Sequence, residues 1–362
     1  MANHIICMEF GPFIIKICEV KPKKKNMIEV VRTTLLQTPS CCVENGYVSI
    51  TDELVSSIRD VLNSWGCKNP DLYISLQTNN MLYRTRPSNS IPNVSTFIKE
   101  QKEFFANKNA PYEIYVFSNT SDVLVDVLGI PSNIFDCYID LALCLNANLK
   151  GVVDSQYVLR NNLQVKQNTN NLLIDISEEK LMASLGSKQH IQAIRSAPHS
   201  IFPAMFAIKK YSGEEVDMVR ALELLRQTSE DSGYGLDEAA IIRELNAYIE
   251  SLAQTIKKTA QDLHIAADLP FEAIIISGFI ADMPYLFKRL KQLIDYPVVS
   301  YKSVDIHLLH SEMTSAIANT FVSCAYAFST INFLTPEILN TERYKQYKKK
   351  EEPKNFFQKL FS

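Results

Sequence analysis

Residues 8–16 read MEFGPFIIK. An apolar run ends in an acid, a glycine follows two residues later, and a lysine closes the segment. Residues 4–9, 13–20 and 27–36 are apolar or β-branched runs, separated first by Gly11-Pro12 and then by a lysine-rich turn, so the spacing predicts three antiparallel strands. Lys21 and the lysines at 23–25 read as a solvated hairpin tip.

Outward from that hairpin, TDELVSSIRDVLNSWG (51–66) predicts a helix. Thr51 is a natural N-cap, Asp52 and Glu53 suit the first turn, and Leu54, Ile58, Val61, Leu62 and Trp65 share one stripe before Gly66. DLYISL (71–76) predicts a buried strand. RTRPSNSIPNV (84–94) carries two prolines among small polar residues and marks a boundary. Beyond it the pattern predicts helices near 94–107 and 131–146, with strands near 112–117 and 122–128 between them. A strand register returns at 152–156 and ends near Asp154. NNLLIDISEEKLMASLG (170–186) then repeats the opening pattern: strand, acid, turn, strand. Helices are expected near 213–230 and 236–263, and residues 272–290 read as strand, glycine turn and helix. One strand-turn-strand motif in each half is the trace of a duplicated, two-lobed α/β chain.

Composition narrows the function classes. The 362 residues are 46% hydrophobic and 21% charged, with net charge -3 and pI near 6.1, which gives no basic field for nucleic acid. The first residues, MANHIICMEFGP, lack the cationic start and small-residue cleavage site of a secretory signal, so a cytoplasmic location is expected. Eight cysteines occur without a C-x-x-C pair and read as reduced, buried thiols, and no metal site is expected. The weakly polar stretch 316–334 contains Asn, Thr, Ser and Tyr throughout and reads as a packed helix, not a bilayer span.

The order of these pieces resembles the actin-like ATPase superfamily, and is most similar to the PilM family of type IV pilus assembly, with the cell-division protein FtsA as a cousin. The resemblance implies a duplicated ribonuclease H-like fold with an inserted subdomain of the FtsA/PilM type. It divides the chain into a first lobe (1–84), an insert (85–148), a return to the first lobe (149–169), a second lobe (170–306, with 195–268 as its own subdomain), a closing helix on the first lobe (307–330) and a tail (331–362).

In that family the hairpin tips and a glycine loop hold ATP and magnesium. The matching positions here are Glu9, Gly11 and Lys16 in the first hairpin, Asp154 between the lobes, Asp175 and Ser177 in the second hairpin, and Gly278 in the third loop. Several depart from the pattern. Pro12 removes a backbone donor, and Glu9 extends one methylene beyond the family's aspartate. Ser177 replaces the glycine that lets backbone approach phosphate, Glu178 and Glu179 add repelling carboxylates, and Phe279 replaces a second glycine. If each altered loop costs about 1–3 kcal/mol of hydrogen bonding or repulsion, nucleotide affinity falls by about two powers of ten or more. Phe10, Phe13 and Ile15 read as packing.

The expectation is therefore a cytoplasmic scaffold of a pilus or related secretion machine at the inner face of the membrane, with a degenerate nucleotide site and no catalytic residues. A groove between the first lobe and the insert would take a short peptide from a PilN-like membrane partner, with the motor ATPase as a further partner. Alternatives are an active ATPase that uses ATP and magnesium, and an FtsA-like division protein that self-associates. Two tail segments carry separate signals. Ile331-Asn332-Phe333-Leu334-Thr335-Pro336 resembles the peptide that PilN inserts into PilM, and Phe356, Phe357, Leu360 and Phe361 share one helical face suited to peripheral membrane contact.

Overall fold

The computed structural model describes residues 4–22, 28–108, 111–118, 124–163, 165–166, 169–188, 190–211, 216–229, 238–301, 306–308, 321 and 323–329. Both tail segments, 331–336 and 356–361, lie outside the described residues.

The opening runs form β1 (Ile5–Phe10), β2 (Ile14–Pro22) and β3 (Ile28–Gln37), paired antiparallel in sequence order. An Asn-Gly hairpin follows, β4 (Val43–Glu44) and β5 (Tyr47–Val48). Its turn residues have φ of 46° at Asn45 and 86° at Gly46, the left-handed pair that a two-residue hairpin requires. Helix α1 (Asp52–Ser64) starts where predicted, with the Thr51 hydroxyl accepting the Leu54 N–H. β6 (Asp71–Leu76) joins β1 in parallel.

Residues 84–87 of the boundary stretch are strand. β7 (Leu82–Pro87) lies on the edge of a sheet, which is where a strand ending in proline is tolerated. α2 (Val94–Ala106), β8 (Tyr112–Ser118), β9 (Leu124–Pro131) and α3 (Ser132–Leu145) complete that unit, whose three strands are ordered β7-β9-β8. β10 (Asn148–Asp154) returns to the first sheet beside β6 and runs into α4 (Ser155–Asn161).

The second half opens with β11 (Asn171–Ile176), β12 (Leu181–Gly186) and β13 (Ile191–Ala197), again antiparallel neighbours. The sequence pattern missed β13 and the helix after it, α5 (Phe202–Tyr211), because β13 is only half-buried and α5 starts at Phe202-Pro203 without an acidic cap. The helix expected at 213–230 is α6 (Met218–Gln227), started later by the Asp217 carboxylate, which accepts the Arg220 N–H. α7 (Glu238–Ala267), β14 (Ile274–Gly278), α8 (Pro284–Leu293), β15 (Val298–Ser300) and β16 (Ile306–Leu308) follow. β16 occupies the start of the segment expected as a closing helix and pairs in parallel with β3; residues 309–320 lie outside the described residues.

Two sheets thus repeat one order. The first runs β10-β6-β1-β2-β3-β16 and the second β13-β12-β11-β14-β15, and in each the first strand pairs antiparallel with one neighbour and parallel with the other. Each sheet has its own apolar core. A third cluster joins them, with Cys7 and Cys18 of the first sheet, Leu173 and Ile275 of the second, and Cys324 to Ala327 packed over both. Arg160 of α4 reinforces the join: its buried guanidinium donates to the carbonyls of Gly186, Ser187, Asn171 and Ser184 in the second half. No helix among the described residues is long and apolar enough to cross a membrane.

Candidate functional site

The sheet order directs two hairpin tips at one another. The first tip, Gly11-Pro12-Phe13, is closed by the Gly11 N–H donating to the Ile14 carbonyl at 3.0 Å. The second, Ser177 to Lys180, is closed by the Ser177 N–H to the Lys180 carbonyl at 2.9 Å. The Ser177 hydroxyl sits within 3.4 Å of the Glu179 N–H and 3.3 Å of the Lys180 N–H, so the second tip spends its free donors on its own side chain.

Glu178 bridges the cleft. Its Oε2 accepts the N–H groups of Phe13 and Ile14, both at 2.8 Å, and its carboxylate covers Gly11 so closely that a Cβ there would collide with Oε1. Two adjacent backbone N–H groups pointing at one oxyanion form an anion nest. Here the anion is a side chain of the opposite lobe. Ring stacking fastens the same tip: Phe13 lies on Phe202 of α5, with centroids 4.5 Å apart and planes 19° apart. Ile14 is part of the second lobe's core.

Below the tip, Glu9 and Lys16 face each other across the β1–β2 ladder and pair at 2.5 Å. The other Glu9 oxygen accepts from Ser75, at 3.0 Å, and from Ser323. Lys16 also stands over the Phe279 ring, 4.6 Å from its centroid. Burial works against the Lys16 charge, yet Glu9, Asp175 and Glu178 outweigh it and hold its pKa above the usual lysine value. Burial pushes the Glu178 carboxyl up to about 7, opposed by Lys16 and the two backbone donors. It pushes Asp175 up to about 6, again opposed by Lys16, while Gln77 donates to its Oδ2 at 2.8 Å. Lys180 is lowered to about 8 by burial.

Gly278 ends β14 at φ 75°, where an added Cβ would stand 2.5 Å from the Ile176 carbonyl. Only glycine fits that crossing of loops. Asp154 is committed elsewhere: it caps α4 by accepting the Tyr157 N–H at 2.9 Å and takes the Tyr83 hydroxyl at 2.5 Å. Burial raises its pKa to about 6. The residues singled out from sequence therefore fall into one neighbourhood at Glu9, Gly11, Lys16, Asp175, Ser177 and Gly278, with Asp154 serving as a helix cap beside it.

Between Glu9, Gly11, Lys16, Gln77, Ser177 and Glu178 the remaining space is about 10 Å³, the room one water needs. Sequence reasoning treated Glu178 as a source of repulsion and overlooked Gln77, Ser75 and Ser323. Nothing in their spacing tells that they converge; only Glu178, an acid at a hairpin tip, carried a signal.

A second concavity lies on the far side of the β4–β5 hairpin. Tyr47, Val48 and Ile50 form one wall and Asn133, Asp136, Cys137 and Asp140 of α3 the other, around an open volume of about 370 Å³. The Tyr138 hydroxyl donates to the Gly46 carbonyl at 2.8 Å and holds α3 against the hairpin at its base.

Two lobes of one strand order, each opened by a hairpin and meeting tip to tip, define the actin-like ATPase fold. The chain aligns with the structure described as the PilM-PilN type IV pilus biogenesis complex at TM-score 0.68 and 15% identity, over 92% of this chain and 99% of that one. It also aligns with the ethanolamine utilization protein EutJ from Carboxydothermus hydrogenoformans at TM-score 0.53 and 11% identity, over 91% of this chain and 90% of that one. No family model and no curated protein matches the sequence.

Proposed function

We propose that this chain is a non-catalytic, actin-like adaptor of a type IV pilus or related secretion machine, working in the cytoplasm at the inner face of the membrane. The observation that carries the loss of nucleotide chemistry is Glu178 seated in the first hairpin's anion nest at 2.8 Å from two N–H groups. A phosphate would need that same place. Glu9, Asp175 and Glu178 crowd the Lys16 amine, so an incoming triphosphate also meets carboxyl groups already competing for that cation.

The adaptor role rests on likeness of fold to a protein described in complex with PilN. The groove between the β4–β5 hairpin and α3 joins first lobe and insert, has apolar walls at Val48 and Ile50, and carries Asp136 and Asp140 on its rim. An extended peptide with one or two apolar side chains and flanking lysines or arginines suits that chemistry. The tail segments Ile331–Pro336 and Phe356–Phe361 are part of the same reading, as a mimic of the partner peptide and a peripheral membrane contact.

Calorimetry with ATP and magnesium on the full chain, beside titration with the cytoplasmic peptide of a PilN-like partner, tests the proposal. The reading requires peptide binding that Tyr47→Ala and Asp136→Lys weaken at least tenfold, and no saturable nucleotide heat at millimolar ligand. Micromolar nucleotide binding with steady turnover would establish the enzyme reading instead. Peptide binding unchanged by both substitutions would move the docking site away from this groove.

A further inference from the structure

Among the described residues, one group of three metal-ligating side chains converges, and it lies away from the cleft. A His4 imidazole nitrogen, a Glu19 carboxylate oxygen and the Cys67 thiol are all within 4.8 Å of one another. His4 precedes β1, whose far end reaches the cleft at Phe10, so about 20 Å of strand separates the two places.

Three elements bring the trio together. Glu19 sits opposite Ile6 in the β1–β2 ladder, and His4, two residues before Ile6, shares its face diagonally. The β2–β3 pairing shifts register between Glu19 and Val20, a bulge beside the carboxylate. Cys67 is delivered by the end of α1: Gly66 adopts φ 70°, and the Cys67 N–H returns to the Leu62 carbonyl at 2.9 Å.

The environment suits a cation. Glu19 is 2% exposed, and its Oε1 lies 2.7 Å from His4 Nδ1. Its Oε2 has no directed hydrogen-bond partner, although Arg32 Nε stands 3.1 Å away. Arg32 also donates to the Trp65 carbonyl at 3.2 Å, which ties the loop carrying Cys67 to the carboxylate as an outer support. Cys67 is buried, while the His4 side chain is 35% exposed and leaves an entry from solvent.

We propose that His4, Glu19 and Cys67 bind a divalent cation of the zinc class, with a water in the fourth position. Sulfur and imidazole donors disfavour magnesium and calcium, and one thiolate, one imidazole and one carboxylate make a three-ligand tetrahedral set with an open site. The ion would staple the start of β1, the middle of β2 and the end of α1.

The test uses the full chain, stripped with a chelator and titrated with zinc against a chromophoric competitor, and with cobalt as an optical probe. The expected result is one equivalent bound and a thiolate-to-cobalt charge-transfer band. Cys67→Ser should abolish the band; His4→Gln and Glu19→Gln should each weaken zinc at least tenfold. Cys41→Ser, which removes an exposed thiol, should change neither. Cys67→Ser is nearly isosteric, and a melting curve with and without zinc shows whether it folds: zinc should raise the midpoint of the parent but not of the variant. Absence of the band in the parent, its survival in Cys67→Ser, or its loss in Cys41→Ser would each overturn the proposal.

Discussion

The Glu178 carboxylate accepts the backbone N–H of Ile14 at 2.8 Å across the cleft, from one lobe to the hairpin tip of the other. Together with the Phe13–Phe202 stack, this contact fastens the first hairpin tip to the second half of the chain. Replacing Glu178 with alanine should vacate the nest. Calorimetry should then find ATP-magnesium or pyrophosphate affinity at least tenfold above the parent's, and denaturant unfolding should register a loss of about 1–3 kcal/mol for the two missing hydrogen bonds. An unchanged nucleotide response would show that Pro12 and Phe279, not Glu178, close the site.

The same carboxylate should leave a mark on stability against pH. Its folded pKa is raised to about 7 from 4.5, so between those values the folded chain holds a proton that the unfolded chain has released. Stability from this group is full below pH 4.5 and is lost as pH rises toward 7, by about 3 kcal/mol if 1.4 kcal/mol accompanies each unit. Asp154 and Asp175, each raised to about 6, act in the same direction. Glu178→Gln should flatten the urea midpoint profile between pH 4.5 and 7. A profile as steep as the parent's would assign the slope to the two aspartates.

Lys16→Met should cost about 3–5 kcal/mol, because it leaves Glu9 buried without its cation. Adding Glu9→Gln to the same chain should recover part of that loss, a non-additivity that a double-mutant cycle measures directly. Two independent losses would mean that the pair contributes nothing as a pair.

Gly278→Ala should be more damaging than its size suggests. The residue has φ 75°, and the new methyl would stand 2.5 Å from the Ile176 carbonyl, so about 2 kcal/mol or more of strain is expected in thermal unfolding. Gly66→Ala, at φ 70° with open space around it, serves as the control for backbone strain without collision and should cost less.

Much of the architecture was readable along the chain because it is governed by short-range chemistry. The apolar runs on either side of Gly11-Pro12 became β1 and β2, Thr51 capped α1, and the repeat at 170–186 became β11 and β12. Where reading failed, tertiary context overruled local preference: Arg84, Thr85 and Arg86 are polar yet form an edge strand, since Thr85 and its neighbours pair with β9 and the Thr85 hydroxyl donates to the Ile191 carbonyl. The Asn45-Gly46 hairpin was legible and was overlooked.

By itself, the sequence determined the duplicated order of strands and the chemical identity of the hairpin tips, since strand periodicity, turn residues and the loss of Pro12's donor are properties of neighbours in the chain. Only the tertiary structure decided what those tips do to each other. That Glu178 fills the nest of Phe13 and Ile14, that Phe279 lies under Lys16, and that His4, Glu19 and Cys67 meet are consequences of two sheets and a helix converging, and residues so far apart in sequence carry no local trace of the distance between them.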